Sequence, residues 1–229
     1  MGDYMDAVLR TDLKRFSGNC TKEDLMDMLD SAINEQRDLV IRKFGRLSDA
    51  GRLLGMLEGN HEETIKKHHQ FDVMKDITER LKVPNLGYSC FFRLALVKAT
   101  KKGTTRNVLI YAHHGHGSSR RTGGSVNRFD DVVKNNEADI YLMGHDHKKW
   151  GKREIRLYLN KANQLAYKPI ILGRTGSFMK TAVSGLTTYS EKANYPAVDL
   201  GVIKITINLK HTQNNKISDR HELDMHISE

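Results

Sequence analysis

Apolar residues recur at helical spacing in two stretches of the chain. The first stretch follows Thr21-Lys22-Glu23-Asp24, a polar run typical of a capped helix N-terminus. Its spacing predicts an amphipathic helix that ends near Phe44. The apolar residues that set this spacing are Leu25, Met28, Leu29, Ile33, Leu39 and Val40. A second helix is predicted from Glu62 to Lys82, because helical spacing returns there and Val83-Pro84-Asn85 ends it.

Short apolar runs between turn residues predict strands along the rest of the chain. The predicted strands are 52–57, 88–99, 107–112, 139–143, 153–159, 167–172 and 201–209. The strand at 52–57 is expected to be buried, and a further helix is predicted at 126–134. This pattern indicates a mixed α/β fold. We expect one domain over residues 1–210, followed by a polar, loosely held tail at 211–229.

Three clusters of polar residues each follow a predicted strand directly. They are Gly59-Asn60-His61-Glu62, His113-His114-Gly115-His116 and Gly144-His145-Asp146-His147. Ligands in open α/β sheets collect outside the carboxyl ends of the strands, so we expect the three clusters to converge. Taken singly, each cluster is more often a polar turn or a surface loop than a site. Their occurrence together, each after a strand, favours a functional site.

The chain also begins with a pattern that is common in metal sites, Gly2-Asp3-x-x-Asp6. Residues at a chain terminus often fray, and a metal ligand there would be poorly held. Asp3 and Asp6 are therefore either ordinary acidic residues of a terminus or part of a site whose earlier part is absent.

Taken in order, these patterns resemble four of the five sequence blocks of the calcineurin-like metallophosphoesterases. The four blocks are Gly2-Asp3-x-x-Asp6, Gly59-Asn60-His61-Glu62, His114-Gly115 and Gly144-His145-x-His147. The resemblance implies a four-layer α/β/β/α sandwich of two mixed sheets. It also implies a two-metal centre that hydrolyses phosphate monoesters or diesters. The stretch from Arg120 to Gly124, with Asn127, is more loosely similar to small bacteriophage members of the family.

The resemblance assigns roles to individual residues. The implied metal ligands are Asp3, which would bridge the two ions, Asn60, His114 and His145 on one ion, and His147 on the other. His61 would donate a proton to the leaving-group oxygen, and Asp6 would orient its other ring nitrogen. His114 is preferred to His113 because it directly precedes the glycine, as in the family's His-Gly form, and His113 is the reserve choice. These donor atoms suit Mn²⁺, our first expectation, and also Fe, Zn²⁺ or Ni²⁺.

Two departures from the family pattern change these expectations. The Asp-x-His block, which in the family lies on a strand ahead of Gly-Asp-x-x-Asp, is not found in the sequence. We therefore expect that the chain lacks its true N-terminus and the first strand, and that Asp3 and His147 alone hold the first metal weakly. The alternative is a divergent protein that holds one metal well and the other weakly. Ala7 stands where the family's protein serine/threonine phosphatases carry a phosphate-binding arginine, which argues against protein phosphatase activity.

The net charge of +9 favours an anionic partner such as a phosphate ester, a nucleotide or a nucleic acid. The competing hypothesis is a catalytically impaired relative of the same family that binds nucleic acid. Basic and aromatic residues beside the predicted site could then form a nucleic-acid groove. These residues are Lys148, Lys149, Trp150, Lys152 and Arg153. A solvated strand edge is the simpler interpretation of the same residues.

Cysteine use and hydropathy limit the cellular compartments that suit this sequence. The two cysteines, Cys20 and Cys90, lie far apart and form no CxxC motif, which is typical of a reducing compartment. No apolar run has the length of a membrane span, and none resembles a secretory signal. We therefore expect a cytoplasmic protein with no membrane attachment and no obligatory protein partner.

Overall fold

A computed structural model describes residues 1–6, 22–97, 105–117, 122–185, 187–192, 194–212 and 220–229. The chain divides into two compact units, Met1–Ser89 and Cys90–Glu229. Each unit has its own secondary structure and its own buried core.

The first unit is helical. Its helices are α1 (Lys22–Asp49), α2 (Asn60–His69) and α3 (Val73–Leu81). The first of these confirms the predicted amphipathic helix and continues it to Asp49. Their shared core is mainly aliphatic and contains Met5, Ile33, Val40, Met56, Ile65, Val73, Met74, Ile77 and Leu81. None of the helices that the structure describes combines the length and the apolar character that a bilayer crossing requires.

The single helix predicted over 62–82 is in fact two helices. Gln70 ends α2 in the left-handed conformation, with a φ of 52°. The Asp72 side chain then caps α3 by accepting a hydrogen bond from the Lys75 N–H at 3.0 Å. The apolar pattern continues across this short break, so spacing alone does not reveal it. An aspartate in the N-cap position is the signal that does.

The predicted strand at 52–57 is buried in part but is not a strand. Within the described residues, Met56 makes one isolated parallel bridge with Asn85. Its N–H donates to the Pro84 carbonyl at 3.1 Å, and its carbonyl accepts from the Leu86 N–H at 2.8 Å. Met56 and Leu57 are buried, as the apolar run predicts. A strand also needs a longer partner, and Pro84 has no N–H with which to continue the ladder.

The second unit is built on a five-stranded sheet in the order β1-β2-β3-β5-β4. These strands are β1 (Ser89–Val97), β2 (Thr105–His113), β3 (Ile140–Met143), β4 (Lys149–Leu159) and β5 (Leu165–Thr175). β2, β3 and β5 are parallel neighbours, and β4 runs antiparallel to β5 at the edge of the sheet. After a short helix, α5 (Tyr189–Lys192), a second sheet pairs β6 (Lys204–Thr212) with β7 (Arg220–Ser228).

Both faces of the five-stranded sheet carry a buried cluster. Helix α4 (Thr122–Asn135) packs on one face through Phe129. β6 and β7 pack on the other face through Ile205 and Met225. This arrangement confirms a mixed α/β fold. The second sheet consists of two antiparallel strands, whereas the resemblance implied two mixed sheets.

The C-terminal segment differs from the loose tail that was predicted from residue 211 onward. Residues Arg220–Ser228 form β7, and Met225 is buried in the sheet core. Leu223, Met225 and Ile227 alternate with polar residues, which is the pattern of a strand with one buried face. The polar composition of the tail hides this alternation, because only every second residue is apolar.

Candidate metal centre

The cluster Gly59-Asn60-His61-Glu62 begins helix α2. Gly59 is the N-cap residue and Asn60 is the first residue of the helix. Glu62 turns back on the cap, so that its Oε2 accepts the Gly59 N–H at 2.9 Å. This is the return bond of a capping box, and it explains why a glutamate three residues after the cap starts a helix here.

Glu62 also binds the first residues of the chain. Its Oε2 accepts the Asp3 N–H at 2.9 Å, and its Oε1 accepts the N–H groups of Tyr4 at 2.7 Å and Met5 at 3.3 Å. The Glu62 side chain is completely buried. One carboxylate thus satisfies four backbone donors and holds the segment that carries Asp3. The metal-site motifs give Glu62 no role, although its capping-box spacing in the sequence is a signal for one.

Asp3 lies at the N-terminus of α2. Its Oδ1 accepts the His61 N–H at 3.1 Å, and its φ of 53° is left-handed, which is unusual for a residue with a Cβ. Gly59 makes this approach possible, since a Cβ at that position would overlap the Asp3 backbone nitrogen and Oδ1. The carboxylate is therefore held where the helix dipole favours a negative charge.

The His61 ring is oriented by the backbone of the same segment. Its Nδ1 lies 2.9 Å from the Met5 carbonyl oxygen. A carbonyl oxygen can only accept a hydrogen bond, so Nδ1 carries the hydrogen of this bond. Nε2 is the ring nitrogen that takes no part in it. The Asp6 N–H donates to Gln36 Oε1 at 2.9 Å, and the orienting role of the Asp6 carboxylate stays a prediction.

Replacing Glu62 by glutamine should destabilise the protein by about 3 kcal/mol, because an amide group would face buried N–H donors that now bond to a carboxylate. The free energy of unfolding in urea measures this effect. Glu63→Gln is the matched control, since Glu63 is partly exposed and forms a surface ion pair with Lys67 at 2.6 Å. Equal losses for the two variants would contradict the holding role of Glu62.

In the second unit, strand pairing brings two of the predicted ligands together. β2 and β3 are parallel, with His113 opposite Met143, so the residues that follow each strand are neighbours. The Gly144 N–H donates to the His114 carbonyl at 3.0 Å and continues this pairing. The His114 Nε2 and the His145 Nδ1 then lie 3.2 Å apart.

This nitrogen pair fits a shared metal ion. Two imidazole nitrogens at about 2.0–2.1 Å from one tetrahedral ion would be about 3.3 Å apart, close to the 3.2 Å between the two rings. The same separation also fits an N–H···N hydrogen bond between them. Imidazole nitrogens suit Zn²⁺, Fe²⁺ and Ni²⁺, whereas oxygen ligands such as carboxylates and amide carbonyls suit Mn²⁺.

Gly115 is required beside the pair, since its φ is +105° and a Cβ would press on the Gly144 carbonyl oxygen and the His145 Cβ.

The loop between β3 and β4 carries His145 and His147 in a strained backbone. Their φ angles are 73° and 60°, both left-handed. This conformation costs about 1–2 kcal/mol for a residue with a Cβ. Such a loop persists only where its surroundings hold it.

Arg174, at the end of β5, holds this loop. Its Nη1 donates to the Gly144 carbonyl at 2.8 Å and its Nη2 to the Ser125 carbonyl at 3.0 Å. The Asp146 carboxylate lies 3.6 Å from Nη1 and accepts the Ser125 hydroxyl. Arg174 is 1% exposed, and this burial lowers the pKa of its guanidinium, against the opposing effect of Asp146. The backbone is thus held on both sides of His145.

The sequence motifs give no role to Arg174 or Asp146. A charged residue at the end of the apolar run Ile170-Ile171-Leu172-Gly173 is a signal for a buried, partnered arginine, because arginine is rarely buried without a partner. This pattern in the sequence does not identify which residue pairs with Arg174.

His113, the reserve ligand, has a different environment from His114. Its Nδ1 accepts the Gly115 N–H at 2.7 Å. Burial lowers the pKa of His113, and the nearby imidazoles of His116 and His114 lower it further. The ring that lies against His145 is that of His114. The choice of His114 as the ligand stays a prediction.

The predicted site residues fall into two groups. The first unit contains Asp3, Asp6, Asn60 and His61, and the second unit contains His114, His145 and His147. Ala7 and Cys20 lie outside the described residues, as do Arg120 and Arg121 of the stretch that is similar to bacteriophage members.

The basic and aromatic residues of the nucleic-acid hypothesis are mostly engaged within the second unit. The Trp150 ring packs edge-to-face on Phe129, with ring centroids 5.2 Å apart, in the cluster under α4. Lys149 forms an ion pair with Asp199, and Lys152 pairs with Glu154 at 2.7 Å. A stacking platform needs an accessible aromatic face, so Trp150 gives this hypothesis little support.

Comparisons of the chain with protein-family models, with curated proteins and with solved structures find no match. The function is therefore inferred from the geometry of these residues and from the sequence motifs that they form.

Proposed function

We propose that this protein is a metal-dependent phosphoric ester hydrolase of the calcineurin-like type, acting on phosphate monoesters or diesters. The observation that carries the proposal is the pair of ring nitrogens of His114 and His145, 3.2 Å apart at the adjacent ends of β2 and β3. The family's four-layer sandwich is part of the proposal, and a mixed α/β fold with two sheets is compatible with it.

The proposed centre would bind two metal ions, one of them weakly because the Asp-x-His block is not found in the sequence. Asn60, His114 and His145 would bind one ion, Asp3 would bridge, and His147 would contribute to the other. When bound, such ions polarise a phosphoryl oxygen and supply a nucleophilic hydroxide at neutral pH. Glu62 and Arg174 would hold the two ligand-bearing segments in position from within their own units.

His61 is proposed as the proton donor. The bond of its Nδ1 to the Met5 carbonyl, 2.9 Å long, orients the ring and engages the Nδ1 hydrogen. The proton for the leaving oxygen would therefore come from Nε2 of the doubly protonated ring, which becomes neutral as it gives the proton up. The same bond opposes rotation of the ring, so the donor stays aimed through the reaction. As the resemblance implies, Asp6 would help to orient the other ring nitrogen of this histidine.

The proposal is tested by metal content and turnover together. We expect the chain, loaded with Mn²⁺ and desalted, to retain metal in elemental analysis and to hydrolyse bis(p-nitrophenyl) phosphate. His114→Ala and His145→Ala should each lower Mn²⁺ affinity by about tenfold or more, since even partners that only orient a ligand cost that much.

His68→Ala is the matched control, because His68 is an exposed histidine on α2. It should leave metal content and turnover unchanged. Undiminished metal in both ligand variants, or turnover that survives chelation, would contradict the proposal. Salt-dependent nucleic-acid binding without any hydrolysis would favour the competing hypothesis instead.

A further inference from the structure

The hairpin formed by β4 and β5 exposes an apolar face. Its five large apolar residues are 53% to 75% exposed: Ile155, Leu157, Leu159, Leu165 and Tyr167. The strand register places Leu157 opposite Tyr167 and Leu159 opposite Leu165, so all five lie on one face of the sheet. A contiguous apolar face of this kind on a protein surface usually marks an interaction site.

The same face is covered at the other end of the hairpin. There Gly151 and Gly173 lie directly under Ile227 of β7, so closely that a Cβ on either glycine would press on that side chain. β6 and β7 therefore cover the glycine end of the hairpin and not the end with the apolar residues. The exposed face is a continuation of the surface that these strands bury.

β4 is also an edge strand. It lies at the end of the strand order and pairs with β5 alone among the strands that the structure describes. The Gly151 N–H donates to the Glu229 Oε1 at 3.0 Å, so it points away from β5. Since hydrogen-bonding direction alternates along an antiparallel strand, the backbone groups of Arg153, Ile155 and Leu157 point the same way. An edge of this kind can pair with another strand.

We propose that this edge is the interface of a symmetric dimer, in which β4 pairs antiparallel with β4 of a second copy about a twofold axis at Ile155. Charge along the strand selects this register. With the axis at Ile155, Glu154 of each copy faces Arg156 of the other, and the two Ile155 side chains meet on the apolar face. An axis at Glu154 or at Arg156 would place like charges directly opposite each other, which is destabilising.

The length of pairing favours the same register. With the axis at Ile155, residues 152–158 of each strand have a partner, which is most of β4, and the Gly151 N–H keeps its bond to Glu229. An axis at Leu157 would also bring apolar residues together, but the strand ends at Leu159, so only residues 155–159 would pair and residues 149–154 would remain unpaired. Glu154 and Arg156 lie on the face opposite the apolar residues, where Glu154 contacts Lys152 and Arg156 contacts the Tyr141 hydroxyl at 3.4 Å.

The dimer does not depend on the proposed enzymatic function, and sedimentation of the full chain over a range of concentrations tests it. We expect a concentration-dependent dimer in the wild type. Leu157→Lys should give a monomer, because in this register it places a lysine directly opposite Arg153 of the other copy, next to the contact between the two Ile155 side chains. Leu54→Lys is the control, since Leu54 is 59% exposed and lies in the first unit, and it should leave the dimer unchanged.

Charge-reversal variants test the β4–β4 register, and they do so independently of Leu157→Lys. Arg156→Glu should weaken dimerisation by about tenfold, because two attractive cross-strand pairs become repulsive. Combining it with Glu154→Arg should restore the dimer, since the pairs then form with their signs exchanged. A monomeric wild type, a dimer that survives Leu157→Lys, or a double variant that stays as weak as Arg156→Glu would overturn the proposal.

Discussion

Replacing His61 by alanine should slow the hydrolysis of a phosphate ester by about 10²–10⁴-fold, the usual effect of losing a positioned proton donor. The ring is held by the bond between its Nδ1 and the Met5 carbonyl, so its Nε2 is the atom available for proton transfer. Metal content should be unchanged, because His61 is not among the proposed ligands. The measurements are kcat under saturating Mn²⁺ and elemental analysis of the same sample.

The leaving group separates proton donation from positioning. A p-nitrophenolate leaves with little need for protonation, so the loss in kcat should be smaller for its esters than for alkyl esters. The control is again His68→Ala, which removes an exposed histidine from the same helix. An equal loss with both leaving groups would assign His61 a positioning role, and no loss with either would contradict the assignment.

Replacing Arg174 by methionine should lower the free energy of unfolding by about 3–5 kcal/mol, because it leaves the Asp146 carboxylate buried without its cation. The Asp146 side chain is 2% exposed, and Arg174 is its ion-pair partner at 3.6 Å. The variant also loses the bond to the Gly144 carbonyl, so His145 should be held less well and Mn²⁺ affinity should fall. Urea unfolding and metal titration measure the two effects.

The double variant Arg174→Met/Asp146→Asn identifies the physical cause. If an orphaned buried charge accounts for most of the loss, the double variant should be more stable than Arg174→Met alone. Arg106→Met is the control, because Arg106 is an exposed residue of β2, and its effect should stay within about 0.5 kcal/mol. A loss for Arg174→Met no larger than for Arg106→Met would show that the buried pair does not hold the loop.

Much of the fold is predictable because apolar spacing reports which side of an element is buried. α1, β1 to β3 and the β4–β5 hairpin form close to where the spacing places them. Two of the predictions that differ from the structure, both concerning strands, share a cause. At 52–57, apolar residues are buried without a strand partner, and at 220–228 a partner turns an apparently polar tail into β7. Strand formation depends on a distant segment, and no local pattern reports whether that segment is present.

The candidate site is likewise predictable from the sequence only in part. The motifs alone predict which histidines, amides and carboxylates would bind metal, and the strands before His114 and His145 already imply that these two rings meet. The residues that hold them are visible only in three dimensions. Glu62 accepts backbone N–H groups from residues 3–5, and Arg174 donates to the carbonyl of Gly144. A ligand is recognised by its own side-chain chemistry, whereas a buried carboxylate or guanidinium takes its role from whichever backbone groups the folded chain places beside it.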